Sequence, residues 1–332
     1  MNAAEIKLRA MASGYQVTQL LCAAMKLRLP DLIGDHPVPL DTLAHKTGCT
    51  DEVLYRLLRA LSSHGIFVEK ANKAFASTPL SELMSSGSDS RVAAEIESIA
   101  DFMYAVWGQL PTSLRSSKTA FEHVFGATNW EYRAKHPEEN AKFNRRMAGA
   151  ASQKGRLLAN SYAFPGDTVL VDVGGGSGAL LREVLSQHAK VKGVVFDQPH
   201  VFQDDDSEWP RDLLERCTFK AGDFFESVPA DGDFYILAGV LHDWDDHNAR
   251  RILQTCRAAM KPRSRMLIVE FVVPSDNEPH FSKMMDLYMF LTNVGGRERT
   301  LPEWSALVGS VELDLEATMP LGAWSCLQVH AV

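Results

Sequence analysis

Apolar residues in the first third of the chain recur at helical spacing. Between Ala3 and about Ile33 the positions Val17, Leu20, Leu21, Ala24 and Met25 predict one long helix or two shorter ones. These helices have no neighbours of their own kind nearby and would bury themselves against a partner. The next segment, PLDTLAHKTGCTDEVLYRLLRALSSHGIFVEK, reads as two short helices divided by Gly48. Asp41 and Thr50 or Asp51 are the candidate N-caps, and Gly65 ends the second helix. IFVEKANKAFAST then alternates like a small hairpin, so that helix, turn, helix and hairpin predict a winged helix. From Ser90 to about Phe164 the pattern is helical again. Its large apolar residues are Trp107, Phe121, Phe125, Trp130, Tyr132, Phe143 and Met147, which serve a core or line a pocket. From Gly166 onward continuous apolar runs alternate with helical ones: DTVLVDVG, KGVVFD, CTFKAGDFF, DGDFYILAGVLHD and SRMLIVEFVV. Such strands predict a parallel sheet covered on both faces, a doubly wound α/β domain. The expected division is residues 1–95 and 96–332, the latter with a helical lead-in over 96–165 and an α/β core over 166–332. Ligands of such sheets sit at the carboxyl ends of the strands. Asp172 and the glycines after it, Asp197, Asp223, His242 and Glu270 are therefore the residues to watch.

Charge narrows the partners. A net charge of −8 disfavours affinity built on neutralising phosphates. Within the winged helix Lys46, Arg56, Arg59 and Lys70 cancel against Asp41, Asp51, Glu52 and Glu69, where a recognition helix needs a positive excess. A packing or dimerisation module is the reading, with no nucleic-acid partner. The five cysteines, Cys22, Cys49, Cys217, Cys256 and Cys326, are far apart and lack C-x-x-C spacing, which suits buried thiols in a reducing compartment. MNAAEIKLRAMASG is not a secretory signal and no 18 apolar residues run together, so a cytoplasmic protein with no membrane partner is expected.

The stretch VDVGGGSGALLREVL can be parsed as G-x-G-x-x-A through Gly174, Gly176 and Ala179, with Asp197 about twenty residues on, where a ribose-binding acid belongs. That pattern alone fits a nicotinamide dehydrogenase. Asp172 directly before the glycines and Asp223 near the same crevice frame the site with carboxylates, which repel a pyrophosphate and favour a cofactor with an ammonium, a sulfonium and a ribose. S-adenosylmethionine is such a molecule. The structural alternative is that the glycines serve only close packing of helix on strand.

In LAGVLHDWDDHNARRIL, His242 ends an apolar run and Asp245 or Asp246 precedes a helix. His242, Asp243, Asp246 and His247 could ligate a metal, but carboxylates at a helix start are what capping favours, and the expectation is no metal. Imidazole alone suits removal of a hydroxyl proton near neutral pH. The helix KMMDLYMFLTNVGG places Met285 and Met289 on one face with Asn293 a turn further on and Phe290 beside them, a stripe that periodicity assigns to a core or a pocket alike.

VDVGGGSGALLREVL, FDQPHV, GDFFESVP, LHDWDDHNARRIL and GGRERT, taken in order, resemble the motifs of class I S-adenosylmethionine-dependent O-methyltransferases of the plant caffeate and bacterial secondary-metabolite type. The winged-helix region, AVWGQL and HPEENAKFNRRM are similar to that family too. The resemblance implies a Rossmann-like domain behind an N-terminal dimerisation domain, a homodimer, and S-adenosylhomocysteine as the product of an enzyme of secondary-metabolite or antibiotic biosynthesis. It implies that Gly174 and its neighbours, Asp172 and Gly176 among them, contact the methionine part, that Asp197 holds the ribose, and that Asp223 and Phe224 flank the adenine. It makes His242 the general base between Glu270 and Glu298, which the residues alone would leave as a strand-end acid and a loop charge beside Arg297 and Arg299. Phe143, Met147, Met285, Met289, Phe290 and Asn293 would line the site of a planar hydroxylated aromatic acceptor, a phenol, polyketide, indole or phenazine. An amine acceptor, or binding without transfer, is the alternative. Three features depart from the family: Ala238 and Gly239 stand where relatives often carry polar or basic residues, KPRSRM lacks a Gly-Gly turn, and GSVELDLEA lacks the usual A-G-F.

Overall fold

The computed structural model describes residues 2–88, 90–203 and 209–332. The chain divides into two compact units, one ending at Ala105 and one beginning at Val106. Residues 96–105, grouped with the second domain by their helical pattern, continue the helix Val92–Ser98 through a π-helical turn, Ile99–Met103, and belong to the first unit.

In the first unit the expected long helix runs from Ala3 to Lys26 and breaks at Arg28, whose φ of 54° is left-handed, before a short helix Leu29–Ile33. Helices Leu40–Thr47 and Asp51–Ser63 follow, separated by Gly48 at φ 72°. Asp41 is not the N-cap of the first, because Pro39 takes that position and Asp41 sits in the first turn. Strands β1 (Val38–Pro39), β2 (Phe67–Lys70) and β3 (Ala74–Ser77) form a three-stranded antiparallel sheet in the order β1-β3-β2. Leu29, Leu43, Leu54, Leu58, Leu61, Phe67 and Phe75 are its buried core. This is the helix, turn, helix and wing read from the sequence.

The second unit is built on a seven-stranded sheet. Its strands are β4 (Val169–Val173), β5 (Lys192–Asp197), β6 (Cys217–Ala221), β7 (Phe234–Ala238), β8 (Arg265–Glu270), β11 (Leu313–Leu321) and β12 (Trp324–Ala331); the short β9 (Val272–Val273) and β10 (Arg299–Thr300) pair with each other. The order is β11-β12-β8-β7-β4-β5-β6, with β4 to β8 parallel and β12 antiparallel to β8. Between β5 and β6 the expected helical stretch is described only as a 3₁₀ turn, Pro199–Gln203, and a helix, Arg211–Leu214; residues 204–208 lie outside the described residues. Alternate residues of each strand serve opposite layers. Val171, Tyr235 and Leu237 pack with Ile252, Leu253 and Trp304 from the helices Asp246–Ala259 and Leu301–Gly309. Leu170 and Ile236 pack with Leu158, Leu181 and Leu185 from the helices Pro137–Ser161 and Ala179–Gln187. β4 lies between β5 and β7, so the chain reverses direction of winding there and opens a crevice at the carboxyl end of β4.

Two of the departures have local solutions. At KPRSRM the Ser264 hydroxyl donates to the Gly232 carbonyl and accepts from Lys261 N–H, closing the turn without glycine. The atypical C-terminal segment still forms a β11–β12 hairpin, with a bulge between Leu315 and Ala317 that absorbs one residue.

Candidate active site

The glycine loop leaves β4 and enters the helix Ala179–Gln187 with Gly174, Gly176 and Gly178 at φ 70°, 60° and 76°, a region that side chains disfavour. A Cβ on Gly174 would stand 2.9 Å from Val240 Cγ2, whereas one on Gly176 would meet nothing within 4 Å. Gly174 thus closes the loop on the sheet, and Gly176 faces open space. Asp197, at the end of β5, accepts from Gly176 N–H at 2.8 Å and from Gln198 N–H at 2.7 Å. Burial raises its pKa, and those two N–H groups oppose the rise. Asp172 turns back beneath the loop, buried, with Oδ2 lacking any hydrogen-bond partner. Burial, then the charge of Asp197, pushes it up to about 7, against the pull of Lys154. Asp223 lies two residues beyond the end of β6 rather than in it, and accepts from Phe225 N–H. Phe224 packs edge-on against Phe225 and Trp244, with one ring carbon 3.8 Å from the place a Gly174 Cβ would take.

An open glycine cradle, a ribose-height carboxylate and an orphaned buried acid suit the parts of S-adenosylmethionine: Asp197 for the ribose hydroxyls, Asp172 for the ammonium, the loop N–H groups for the carboxylate.

His242 is not within a strand. β7 ends at Ala238, and His242 sits in a 3₁₀ turn, Leu241–Asp243. That turn is pinned from the GGRERT loop: Arg297 N–H donates to His242 O, while the fully buried Arg299 guanidinium donates to Leu241 O, Trp244 O and Asp246 Oδ1. The same loop delivers Glu298, whose Oε1 lies 2.9 Å from His242 Nδ1, and Glu270 Oε2 stands 3.4 Å from the same nitrogen. Glu270 Oε1 meanwhile accepts from Val240 and Leu241 N–H. Both glutamates are buried. Burial alone would lower the imidazole pKa, but Glu270, then Glu298 and Asp243, outweigh it and push it up to about 10. An imidazolium held between two carboxylates donates its Nδ1–H to Glu298, which leaves Nε2, 3.8 Å from Asp243 Oδ1, as the nitrogen that can exchange a proton with a ligand.

Of the other acids, Asp245 caps the helix Asp246–Ala259, Asp246 is taken by Arg299 and Arg297, and His247 is exposed. They do not join His242. The group that has metal-ligand spacing among the described residues is His242, Glu270 and Glu298, with donor atoms within 4.8 Å of one another; Glu270 Oε1 accepts from backbone and Glu298 Oε1 from His242, while the Oε2 atom of each glutamate is buried without a hydrogen-bond partner among the described residues.

Asn293, expected one turn past the methionines, is buried and donates to Asp243 Oδ1 at 2.6 Å while accepting from Asn129 Nδ2 at 3.0 Å. Arg133 in turn donates to Asn129, and its guanidinium lies 3.8 Å from the Phe143 ring centre. Met289 is buried and Met285 half-buried, whereas Met147 and Phe290 remain 40% and 36% exposed. The sequence reading missed Asn129, Arg133, Trp244, Asp243 as a partner of Asn293, and Lys154. Lys154 falls on the buried stripe of its helix with Gly155, Leu158 and Ala159, a lysine at an apolar position, which was the available signal.

Comparison with known proteins places the chain. Residues 107–312 match the O-methyltransferase domain model and residues 10–87 the O-methyltransferase dimerisation domain model. A phenazine O-methyltransferase, PhzM, of Lysobacter antibioticus is 39% identical over 93% of this chain and 91% of its own. An 8-amino-8-demethylriboflavin N,N-dimethyltransferase of Streptomyces davaonensis is 32% identical over 94% and 91%. Among solved structures, the mitomycin 7-O-methyltransferase MmcR superposes with a TM-score of 0.90 at 31% identity, covering 99% of this chain and 98% of its own. NcsB1, an O-methyltransferase from neocarzinostatin biosynthesis solved with S-adenosylmethionine and 2-hydroxy-5-methyl naphthoic acid, superposes at 0.81 with 27% identity over 95% and 96%. The chain belongs to the S-adenosylmethionine-dependent O-methyltransferases of the bacterial secondary-metabolite type, and carries their dimerisation domain.

Proposed function

We propose that the enzyme methylates a hydroxyl on a small planar aromatic acceptor, with His242 as the general base. The observation that carries this reading is the pinning of His242 Nδ1 by Glu298 and Glu270, which leaves Nε2, with no hydrogen bond to another described residue and Asp243 Oδ1 3.8 Å away, to meet an acceptor. When bound, S-adenosylmethionine supplies a methyl group on a sulfonium leaving group. His242 Nε2 takes the hydroxyl proton as the oxygen forms its bond to that methyl carbon, and the glutamates hold the resulting imidazolium. Base catalysis of this kind contributes about 10²- to 10⁴-fold, with more from alignment of the reacting atoms.

Asp172, Gly174, Gly176 and Asp197 hold the cofactor's methionine and ribose ends, and Asp223 and Phe224 its adenine. Met285, Met289 and Asn293 line the acceptor side with Phe143, and the exposed Met147 and Phe290 stand at its mouth. Methionines adapt to a flat ring. The chain acts as a homodimer through its first unit, whose long helix exposes Leu8, Met11 and Tyr15 along one face. Relatives named for phenazine, mitomycin and naphthoic acid chemistry support the acceptor class. One relative is named for dimethylation of an amine, so amines belong in the test. Purified enzyme with S-adenosylmethionine and a panel of hydroxylated and amino-substituted aromatics is followed by mass spectrometry. Gain of one methyl on the hydroxyl compounds is the expected result; methylation of amines alone would contradict it.

A further inference from the structure

Lys154 lies deep in the catalytic unit, 7% exposed, on the helix Pro137–Ser161. Its side chain reaches the turn after β7, where its Nζ presses against the position a Cβ on Gly239 would occupy; His242 Nε2 stands 3.7 Å from that same position. Gly239 has φ 76°, and its missing side chain is what makes room for the amine. Burial holds the Lys154 pKa below the usual lysine value, against the opposing charges of Glu270, Glu298, Asp243 and Asp172, and Lys154 forms no hydrogen bond or ion pair with any described residue. Its one close neighbour of interest is the Trp324 ring, 5.5 Å from Nζ to centroid.

A buried ammonium that the fold leaves without an ion pair is costly. Glu270 Oε1 accepts from backbone N–H groups and Glu298 Oε1 from His242, and neither glutamate makes an ion pair with Lys154. The amine and His242 Nε2 both face the open side of Gly239. We propose that Lys154 is a seat for a ligand carboxylate inside the cleft. The ligand there is a monoanion, since the four surrounding acids oppose a doubly charged group. The carboxylate comes from the aminoacyl end of the cofactor or from an acidic substituent on the aromatic acceptor. This rests on the reading of the cleft as the transfer site.

The test is calorimetric titration of wild type and Lys154→Met with two pairs of probes. S-adenosylhomocysteine is compared with 5′-methylthioadenosine, which lacks the aminoacyl end; 1-hydroxy-2-naphthoic acid is compared with 1-naphthol. Loss of roughly 10- to 100-fold in affinity for S-adenosylhomocysteine alone assigns the seat to the cofactor. The same loss for the naphthoic acid alone assigns it to the acceptor. Unchanged affinity for both acids overturns the proposal. Lys154→Arg, which keeps the charge, must retain the wild-type preference. If Lys154→Met does not fold, wild type alone decides: equal affinity within both pairs would overturn the seat. A wild type that binds none of the four probes defeats the transfer reading itself, a different result from normal binding that the substitution leaves unmoved.

Discussion

His242 Nδ1 lies 2.9 Å from Glu298 Oε1 across 56 positions of sequence. The pair joins the turn after β7 to the loop before β10, and the buried Arg299 ties the same two segments by three hydrogen bonds. His242 is therefore held in place by contacts within the chain between these two segments.

The pKa of His242 near 10 has a kinetic consequence. The imidazole is protonated at neutral pH in the free enzyme, and a general base works only in its neutral form. The sign follows: kcat/KM rises with pH as that proton leaves, and the ascending limb lies on the alkaline side of neutral. Glu298→Gln removes a charge that favours the imidazolium and shifts the limb to lower pH by roughly one unit. Profiles of wild type and variant with one acceptor check this; a limb that does not move belongs to the acceptor hydroxyl instead.

Asp197→Ala removes the acceptor for Gly176 N–H and, on the proposed reading, for the ribose hydroxyls. Affinity for S-adenosylhomocysteine and for 5′-methylthioadenosine falls together by about 10- to 100-fold. A loss confined to S-adenosylhomocysteine would place Asp197 on the aminoacyl end, against the account.

Gly174→Ala and Gly176→Ala separate backbone from packing. Both positions have positive φ, and each substitution costs about 1–2 kcal/mol on that ground. Only at Gly174 does the new methyl also meet a Val240 carbon at 2.9 Å. Gly174→Ala is accordingly the more destabilising in urea unfolding. Equal losses would show that the loop moves off Val240 without penalty.

The helix Ala3–Lys26 exposes Leu8, Met11 and Tyr15 at 68%, 69% and 54%. The intact chain should run as a dimer by light scattering, and Leu8→Glu with Met11→Glu should yield monomer. A wild-type monomer, or a dimer indifferent to the double substitution, contradicts assembly through this helix.

Much of this was legible in the sequence because it rests on local rules. Strand and helix periods pointed to the α/β sheet, the glycine cluster after an apolar run to the loop, and the twenty-residue spacing to Asp197, which the structure brings to Gly176 N–H. What the sequence left open depends on contacts between distant segments. Glu298 sits between two arginines and reads as a loop charge until Arg299 is seen buried and the loop turned inward. Asn293 continues a methionine stripe, yet its amide is taken by Asp243 and Asn129. The short 3₁₀ turn that carries His242 was hidden inside an apolar run. Lys154 sits 88 residues before His242, and no spacing rule connects a lysine on one helix to a glycine on another turn.

The most direct test of the central claim is a paired measurement on His242→Ala: single-turnover methyl transfer from S-adenosylmethionine to a hydroxylated aromatic acceptor, and calorimetric affinity for S-adenosylhomocysteine. The account predicts transfer slowed by about 10²- to 10⁴-fold with cofactor affinity nearly unchanged. Transfer at the wild-type rate, or equal losses in both quantities, would contradict a general base at this position.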